Sequence, residues 1–180
     1  LCMMAASTLD DATIENALEK MSASDADVVY IMDSFGGMFA KDIRRLAKKY
    51  SATINGAGKK LGIHTHNNMQ QALSNTIEAI ELGADFADCS LAGLGKGAGN
   101  CQTEMLCGFL AAKQKLNYDI RPLLCAIENH IEPLRAKLKW GFSYPYMLTG
   151  LYNMHPRDAI EFNKSGGKTI TEFYDELNLK

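Results

Sequence analysis

The 180-residue chain contains no run of about 18 apolar residues, so no segment is expected to cross a bilayer as a helix. It has no excess of either charge. A net charge of −2 gives no reason to expect nucleic acid or an acidic membrane as partner. Its cysteines, Cys2, Cys89, Cys101, Cys107 and Cys125, are odd in number and form no C-x-x-C pair. They are expected to be reduced, mostly buried thiols of a cytoplasmic protein. No basic, apolar and small-residue leader pattern is present. The chain opens on Leu1, already inside an apolar run, and is therefore expected to be a fragment. What is there is an ordinary globular composition, 47% hydrophobic and 22% charged, with material for one sizeable core.

Strand-like and helix-like stretches alternate. Leu1–Ala6, Ala26–Asp33, the run through Leu61, Gly62 and Ile63, and Phe86–Leu91 read as buried strands. Between them, Ile14, Ala17, Leu18 and Met21 recur at helical spacing, with Ser7 or Thr8 as the expected cap. Ile43, Leu46, Ala47 and Tyr50 mark a second helix, followed by a turn-rich connector over Ser51–Lys59. Met69–Leu82 reads as a third helix stopped by Gly83, and Thr103–Leu116 as a fourth with Met105, Leu106, Phe109 and Leu110 inward. A strand–helix alternation with a period of about thirty residues predicts βαβ units and a parallel sheet. Beyond Asn117 no strand is evident. Helices are expected over Pro122–Ile131, Pro133–Lys139, from His155-Pro156 through Ile160 and over Ile170–Leu177, with an aromatic loop at Trp140–Tyr146. The expected division is 1–116 for the strand–helix units and 117–180 for a helical extension.

Three loops follow the carboxyl ends of the expected strands, at Asp33-Ser34, His64–Asn68 and Ser90–Asn100, and in parallel α/β folds those ends converge on the active site. His64 and His66 lie at i and i+2 of a strand, so both imidazoles point to one face, as a divalent metal requires. Nitrogen ligands of this kind suit zinc, manganese, cobalt or iron. The loop G-L-G-K-G-A-G-N (Gly93–Asn100) lets backbone approach a ligand closely. Its final Asn100 brings an oxygen able to complete a metal shell. The loop is no Walker motif, lacking G-K-[ST] at the required spacing, and it misses the dinucleotide fingerprint. Asp33 and Ser34 read either as a helix cap or as substrate contacts. Lys96 reads as a solvated charge, an anion contact or a Schiff-base amine. Tyr144, Tyr146 and Tyr152 read as packing aromatics or as a source of one acid–base phenol. His130 and His155 read as surface or capping residues.

The segment L-G-I-H-T-H-N-N-M-Q-Q-A-L-S-N-T-I-E-A-I-E-L-G-A-D, followed by D-C-S-L-A-G-L-G-K-G-A-G-N, resembles the metal-dependent pyruvate-type aldolase and lyase superfamily. That group includes 4-hydroxy-2-oxovalerate aldolase, HMG-CoA lyase, isopropylmalate synthase and homocitrate synthase. The stretch D-S-F-G-G-M at Asp33–Met38 and the sequence of the glycine loop place the resemblance nearest the aldolase branch. It covers Leu1 to about Gly108 and is loose thereafter. The resemblance implies a TIM barrel with a metal at the C-terminal mouth, the four strands here being the last four of eight. It implies His64 and His66 as metal ligands and Asn100 as a further ligand or contact of the metal shell. Ser34, with Asp33, would hold the oxo acid. Manganese or magnesium is the ion the family implies, with zinc or cobalt compatible with two histidines. The synthase branches carry G-E-R-A-G-N where this chain has Gly95-Lys96-Gly97-Ala98-Gly99-Asn100, which argues against acyl-CoA condensation. The family's R-D-G segment, with its aspartate ligand and arginine, does not occur in this chain.

The expectation is therefore the C-terminal half of a (β/α)8 TIM barrel, four βα units followed by a helical extension, because a whole barrel takes about 250 residues. Its open edges would pair with the missing N-terminal half barrel or another copy of the chain. The complete protein is expected to cleave a 4-hydroxy-2-oxo acid to pyruvate and an aldehyde, with Gly95, Lys96 and Gly97 among the residues lining the substrate site. The 180-residue piece alone is expected to be inactive. Two competing readings are an amidohydrolase-type metal hydrolase, which also uses H-x-H on a barrel strand, and a non-catalytic fragment serving in assembly or partner binding.

Overall fold

The computed structural model describes residues 1–114 and 116–178. Lys115, within the expected helix Thr103–Leu116, and Leu179 and Lys180, at the end of the expected extension, lie outside the described residues. Three strands, β1 (Val28–Asp33), β2 (Lys60–Thr65) and β3 (Phe86–Asp88), form a parallel sheet in the order β1-β2-β3. Helices α1 (Asp11–Ser22), α2 (Ala40–Ile54), α3 (Ala72–Glu81) and α4 (Thr103–Lys113) alternate with them.

Strand alternation divides the sheet into two faces. Val29 and Ile31 of β1 and Leu61 and Ile63 of β2 are buried beneath Ile14, Leu18, Ile43, Leu46, Tyr50 and Ile54 of the helices. The other face carries Tyr30 opposite Gly62 and Phe86, and Met32 opposite His64 and Asp88. The outward parity continues to Asp33 and Thr65, which are fully buried, and the inward parity to His66.

Several expected elements are shorter or shifted. Leu1–Ala6 is not a full strand. It contributes one parallel bridge, Cys2 to Tyr30, before Ala5 turns left-handed (φ 55°) into a 3-10 turn over Ala6–Thr8. The sheet thus has three strands and a bridged edge among the described residues, where four strands were expected. The expected strand Phe86–Leu91 stops at Asp88, because Leu91–Gly93 already turns into the glycine loop. Asp10, not Ser7 or Thr8, caps α1, accepting from the Thr13 amide at 2.8 Å. The Ser7 hydroxyl donates instead to Asn153. Helix α2 runs on through the expected connector to Ile54. Helix α3 begins at Ala72, later than expected: Gln70 has φ 57°, and the Ala72 amide is held by Asn67 Oδ1 at 3.1 Å. Ala72, Asn75 and Ala79 of this helix are buried, and Asn75 Nδ2 donates to the Met38 carbonyl at 2.7 Å. On α4, Leu106 and Leu110 point inward while Met105 is exposed.

In the C-terminal part, α5 (Arg121–Ala126) and α6 (Glu132–Leu138) are joined by a π-helical turn at Ile127–Ile131. The wider turn precedes Pro133, whose ring cannot follow a regular i−4 ladder. Helix α7 spans Tyr144–Leu151, so the expected aromatic loop is helical from Tyr144 onward. Helices α8 (Arg157–Ser165) and α9 (Ile170–Asn178) pack on α7 through Leu148, Ala159, Phe173 and Leu177.

Helix α7 reaches the strand ends through a glycine contact. A Cβ on Gly37, in the β1–α2 loop, would stand 2.4 Å from the Gly150 carbonyl oxygen. Gly37→Ala is therefore expected to cost about 1–3 kcal/mol by overpacking. It is also expected to raise amide hydrogen exchange across α7. Unchanged exchange there would show that this contact does not dock the helix.

Candidate metal centre

His64 and His66 share the inner face at the carboxyl end of β2. Their ring centroids are 5.2 Å apart with an interplanar angle of 69°, so the imidazoles meet edge to face. His64 Nδ1 lies 3.2 Å from Asp88 Oδ2, on the neighbouring strand. His66 forms an antiparallel bridge with Asn100, the residue that ends the glycine loop. Two backbone bonds secure this return: Asn67 N donates to Gly99 O at 2.8 Å, and Cys101 N to Thr65 O at 3.2 Å. Burial holds the His66 pKa down to about 4, helped by the nearby His64 and Lys96; carbonyls of the loop oppose the shift without offsetting it. His66 is therefore a neutral imidazole at pH 7, the form that binds metals.

The glycine loop is closed by the protein's own groups. A Cβ on Gly99 would stand 2.2 Å from the Gly93 carbonyl oxygen, and one on Gly95 would stand 2.7 Å from the Asn100 side chain. Gly97 (φ 70°) packs against Asn68 Oδ1 and the Tyr146 ring. Asn68 is buried and spans two loops: Nδ2 donates to Phe35 O at 3.0 Å, and Oδ1 accepts from Ala98 N at 3.3 Å. Trp140 Nε1 donates to Ala92 O at 3.0 Å. Among the described residues Asn100 Oδ1 is buried without a hydrogen-bond partner, whereas its Nδ2 donates to Leu94 O. These glycines allow close internal packing. Gly95 and Gly97 are covered by side chains of this chain and do not line the cavity described next.

A cavity of about 100 Å³ opens beside His66, walled by Met32, Ser34, Asn68, Lys96 and His155 among others. Ser34, Lys96 and His66 line this one cavity, whereas His64 and Asn100 do not. Ser34 Oγ accepts from Ala5 N at 2.8 Å, which leaves its proton free to donate. Asp33 does not join them. Its parity places the carboxylate on the helix side, fully buried, where it accepts from Gly37 N and Met38 N at 3.2 and 3.1 Å. Burial raises its pKa to about 6 despite those amides. Among the tyrosines, Tyr146 lies against Gly97 and Tyr144 is exposed beside Phe142. The Tyr152 hydroxyl donates to Asn178 Oδ1 on α9. His155, read from sequence as surface or cap, is both a cap and a cavity wall: its Nδ1 accepts from Arg157 N at 3.1 Å, and its ring meets Phe35. Its place was not legible because no local pattern reports which face of α7 meets the sheet. Asp88 stands opposite His64 through the register of β2 and β3, which alternation along one strand does not report.

No group of three or more His, Cys, Asp or Glu able to hold a metal occurs among the described residues. The residues present fit part of a metal shell. Two adjacent imidazoles, one kept neutral, are nitrogen donors compatible with a borderline divalent ion, and Asn100, joined to His66 by a backbone bridge, has a buried side-chain oxygen without a partner.

A parallel sheet alternating with helices, with a histidine pair at the end of β2, defines an α/β fold with its candidate site at the strand ends. Within that fold class the chain belongs to the HMGL-like family, whose pattern it matches over residues 1–130. It is 32% identical over 155 residues to a 4-hydroxy-2-oxovalerate aldolase of Moorella thermoacetica, covering 75% of this chain and 44% of that protein. It is 42% identical over 90 residues to an oxaloacetate decarboxylase of Mycobacterium tuberculosis, covering 49% of this chain and 26% of that protein. The chain thus spans less than half the length of these curated relatives. Among solved structures it resembles the N-terminal domain of a candidate aldolase from Bacteroides vulgatus, with a TM-score of 0.78 and 33% identity over 92% of this chain and 53% of that one. The carboxyl transferase domain of Rhizobium etli pyruvate carboxylase shares the fold at 17% identity, with a TM-score of 0.66 over 99% of this chain and 33% of that one.

The two displaced pKa values act in opposite directions on stability. Asp33 is raised, so the folded state binds the extra proton and gains stability as pH falls from about 6 towards 4. His66 is lowered, so the unfolded state binds the extra proton and stability is lost as pH falls from 6.5 to about 4. In urea unfolding with a chelator present, Asp33→Asn is expected to steepen the loss of stability on acidification, and His66→Gln to turn it towards a gain. Parallel shifts in the two variants would contradict the assignment.

Proposed function

We propose that this chain is the metal-bearing half of a (β/α)8 barrel which, in the complete protein, cleaves a 4-hydroxy-2-oxo acid to pyruvate and an aldehyde. The observation that carries the reading is the histidine pair on the inner face of β2, stitched to Asn100, within an HMGL-like sequence. Its similarity to 4-hydroxy-2-oxovalerate aldolases supports the reaction class. His64, His66 and Asn100 would hold a divalent ion, manganese or magnesium, with zinc or cobalt as alternatives. The remaining ligand, an aspartate, would come from a segment outside this chain. The other half of the barrel, or another copy of the chain, would cover the inner face of the sheet.

A divalent ion held there would supply Lewis-acid stabilisation of negative charge on the oxo oxygen. The chain's own groups bind and orient. Ser34 and Lys96 donate to the carboxylate of the oxo acid in the cavity beside His66. Cleavage takes the proton from the 4-hydroxyl and breaks the C3–C4 bond, whose electron pair passes into the oxo acid and is later protonated at C3. Of the three tyrosines, Tyr146 packs its ring on the glycine loop at Gly97 and is the remaining candidate for that proton transfer, as a phenolate if it acts as the base.

The whole protein, loaded with manganese, is expected to exchange the methyl protons of pyruvate for deuterium in heavy water. His64→Ala and His66→Ala should each lower manganese affinity by more than the roughly 10–100-fold that loss of an outer-shell partner costs. Absence of both metal binding and exchange in the whole protein would remove the aldolase reading. Amide hydrolysis would favour the metal hydrolase.

A further inference from the structure

We propose that Asp88 is a positioning residue for His64, fixing its proton on Nδ1 so that the Nε2 lone pair faces the mouth, and that Tyr30 and Gly62 set Asp88 in turn. The inference rests on His64 as a metal ligand, but its first part concerns the metal-free protein.

The register makes the arrangement possible. His64 and Asp88 are direct partners on adjacent parallel strands, so both side chains stand on the inner face. Their separation of 3.2 Å, Nδ1 to Oδ2, is that of a hydrogen bond. An ionised carboxylate offers only acceptor sites, so the contact requires a proton on Nδ1. A neutral imidazole with that proton has its one lone pair on Nε2. A carboxylate behind a ligating histidine fixes the ring's orientation and raises its basicity.

Tyr30 approaches the same carboxylate from the far side of β2. It lies on β1 opposite Gly62, and its ring lines one cavity with His64 and with Asp88 of β3. To span two strands the ring must lie across β2, and Gly62 leaves that space. A Cβ there would stand 2.5 Å from Tyr30 Cε1, 2.6 Å from Cδ1 and 2.7 Å from Cζ. Glycine inside a strand often marks such a close approach. Three strands thus contribute one device: space from β2, an aromatic ring from β1 that walls the cavity, and a carboxylate from β3 that returns to the histidine of β2.

The test begins with the tautomer of His64 in the metal-free full chain at pH 8, read from nitrogen-15 long-range correlations, where only four histidines need assignment. The Nδ1–H form is expected for His64, and Asp88→Ala should shift the ring towards the Nε2–H form. Manganese titration followed by electron paramagnetic resonance should then show Asp88→Ala binding about 10–100-fold more weakly. Asp88→Asn, whose amide oxygen can still accept, should retain more of both signatures. Gly62→Ala should move the Tyr30 ring and weaken manganese binding with Asp88 intact. An Nε2–H tautomer in the wild type overturns the proposal, as does an Asp88→Ala protein that keeps its tautomer or its manganese affinity. A wild type with the Nδ1–H tautomer that binds no manganese would uphold the hydrogen bond and overturn the metal reading, so the two failures are distinguishable.

Discussion

The parallel register of β1, β2 and β3 is the constraint on which the site depends. Because side chains alternate along each strand, one pairing decides which residues enter the helical layer and which face the open side. A slip of one residue on β2 would bury His64 and His66 against Ile43 and Leu46 and expose Leu61 and Ile63. The apolar contacts under the sheet therefore hold the imidazoles in place from the opposite face. Buried hydrophobic area fixes the geometry, and the polar face inherits it.

The same parity explains what was legible in the sequence. Two histidines one residue apart on a strand must share a face, and the structure places their rings 5.2 Å apart. Asp33 obeys the same rule with the opposite result. It continues the series Val29, Ile31 and so turns into the β1–α2 loop, where two backbone amides take up its charge. Reading it as a possible substrate contact followed its position at a strand end and ignored its place in the alternation. The glycine loop was legible as a place of close approach, but not as to what approaches. Asn100, Asn68 and Tyr146 fill the space those glycines leave.

The least legible part was the contribution of the C-terminal helices. Local periodicity reports that a helix has an apolar face, but not where that face docks. Gly150 against Gly37 and Asn153 against Ser7 bring the end of α7 to the mouth, and His155 follows as part of the cavity wall. Both contacts join residues more than a hundred positions apart, a separation that no local pattern encodes. This region also lies beyond the residues matched to the HMGL-like family, so differences in cavity shape between this chain and its relatives can arise here without altering the histidine strand.

Trp140 is the only tryptophan in the chain, and its indole nitrogen is bonded to the carbonyl of Ala92 at the entrance of the glycine loop. Its intrinsic fluorescence therefore reports on one locality. Any rearrangement that frees the loop from the segment leading into α7 would break that bond and expose the indole to water, shifting its emission to longer wavelength. The molecule carries its own optical probe of whether the loop beside the histidines is seated, and no label has to be introduced to read it.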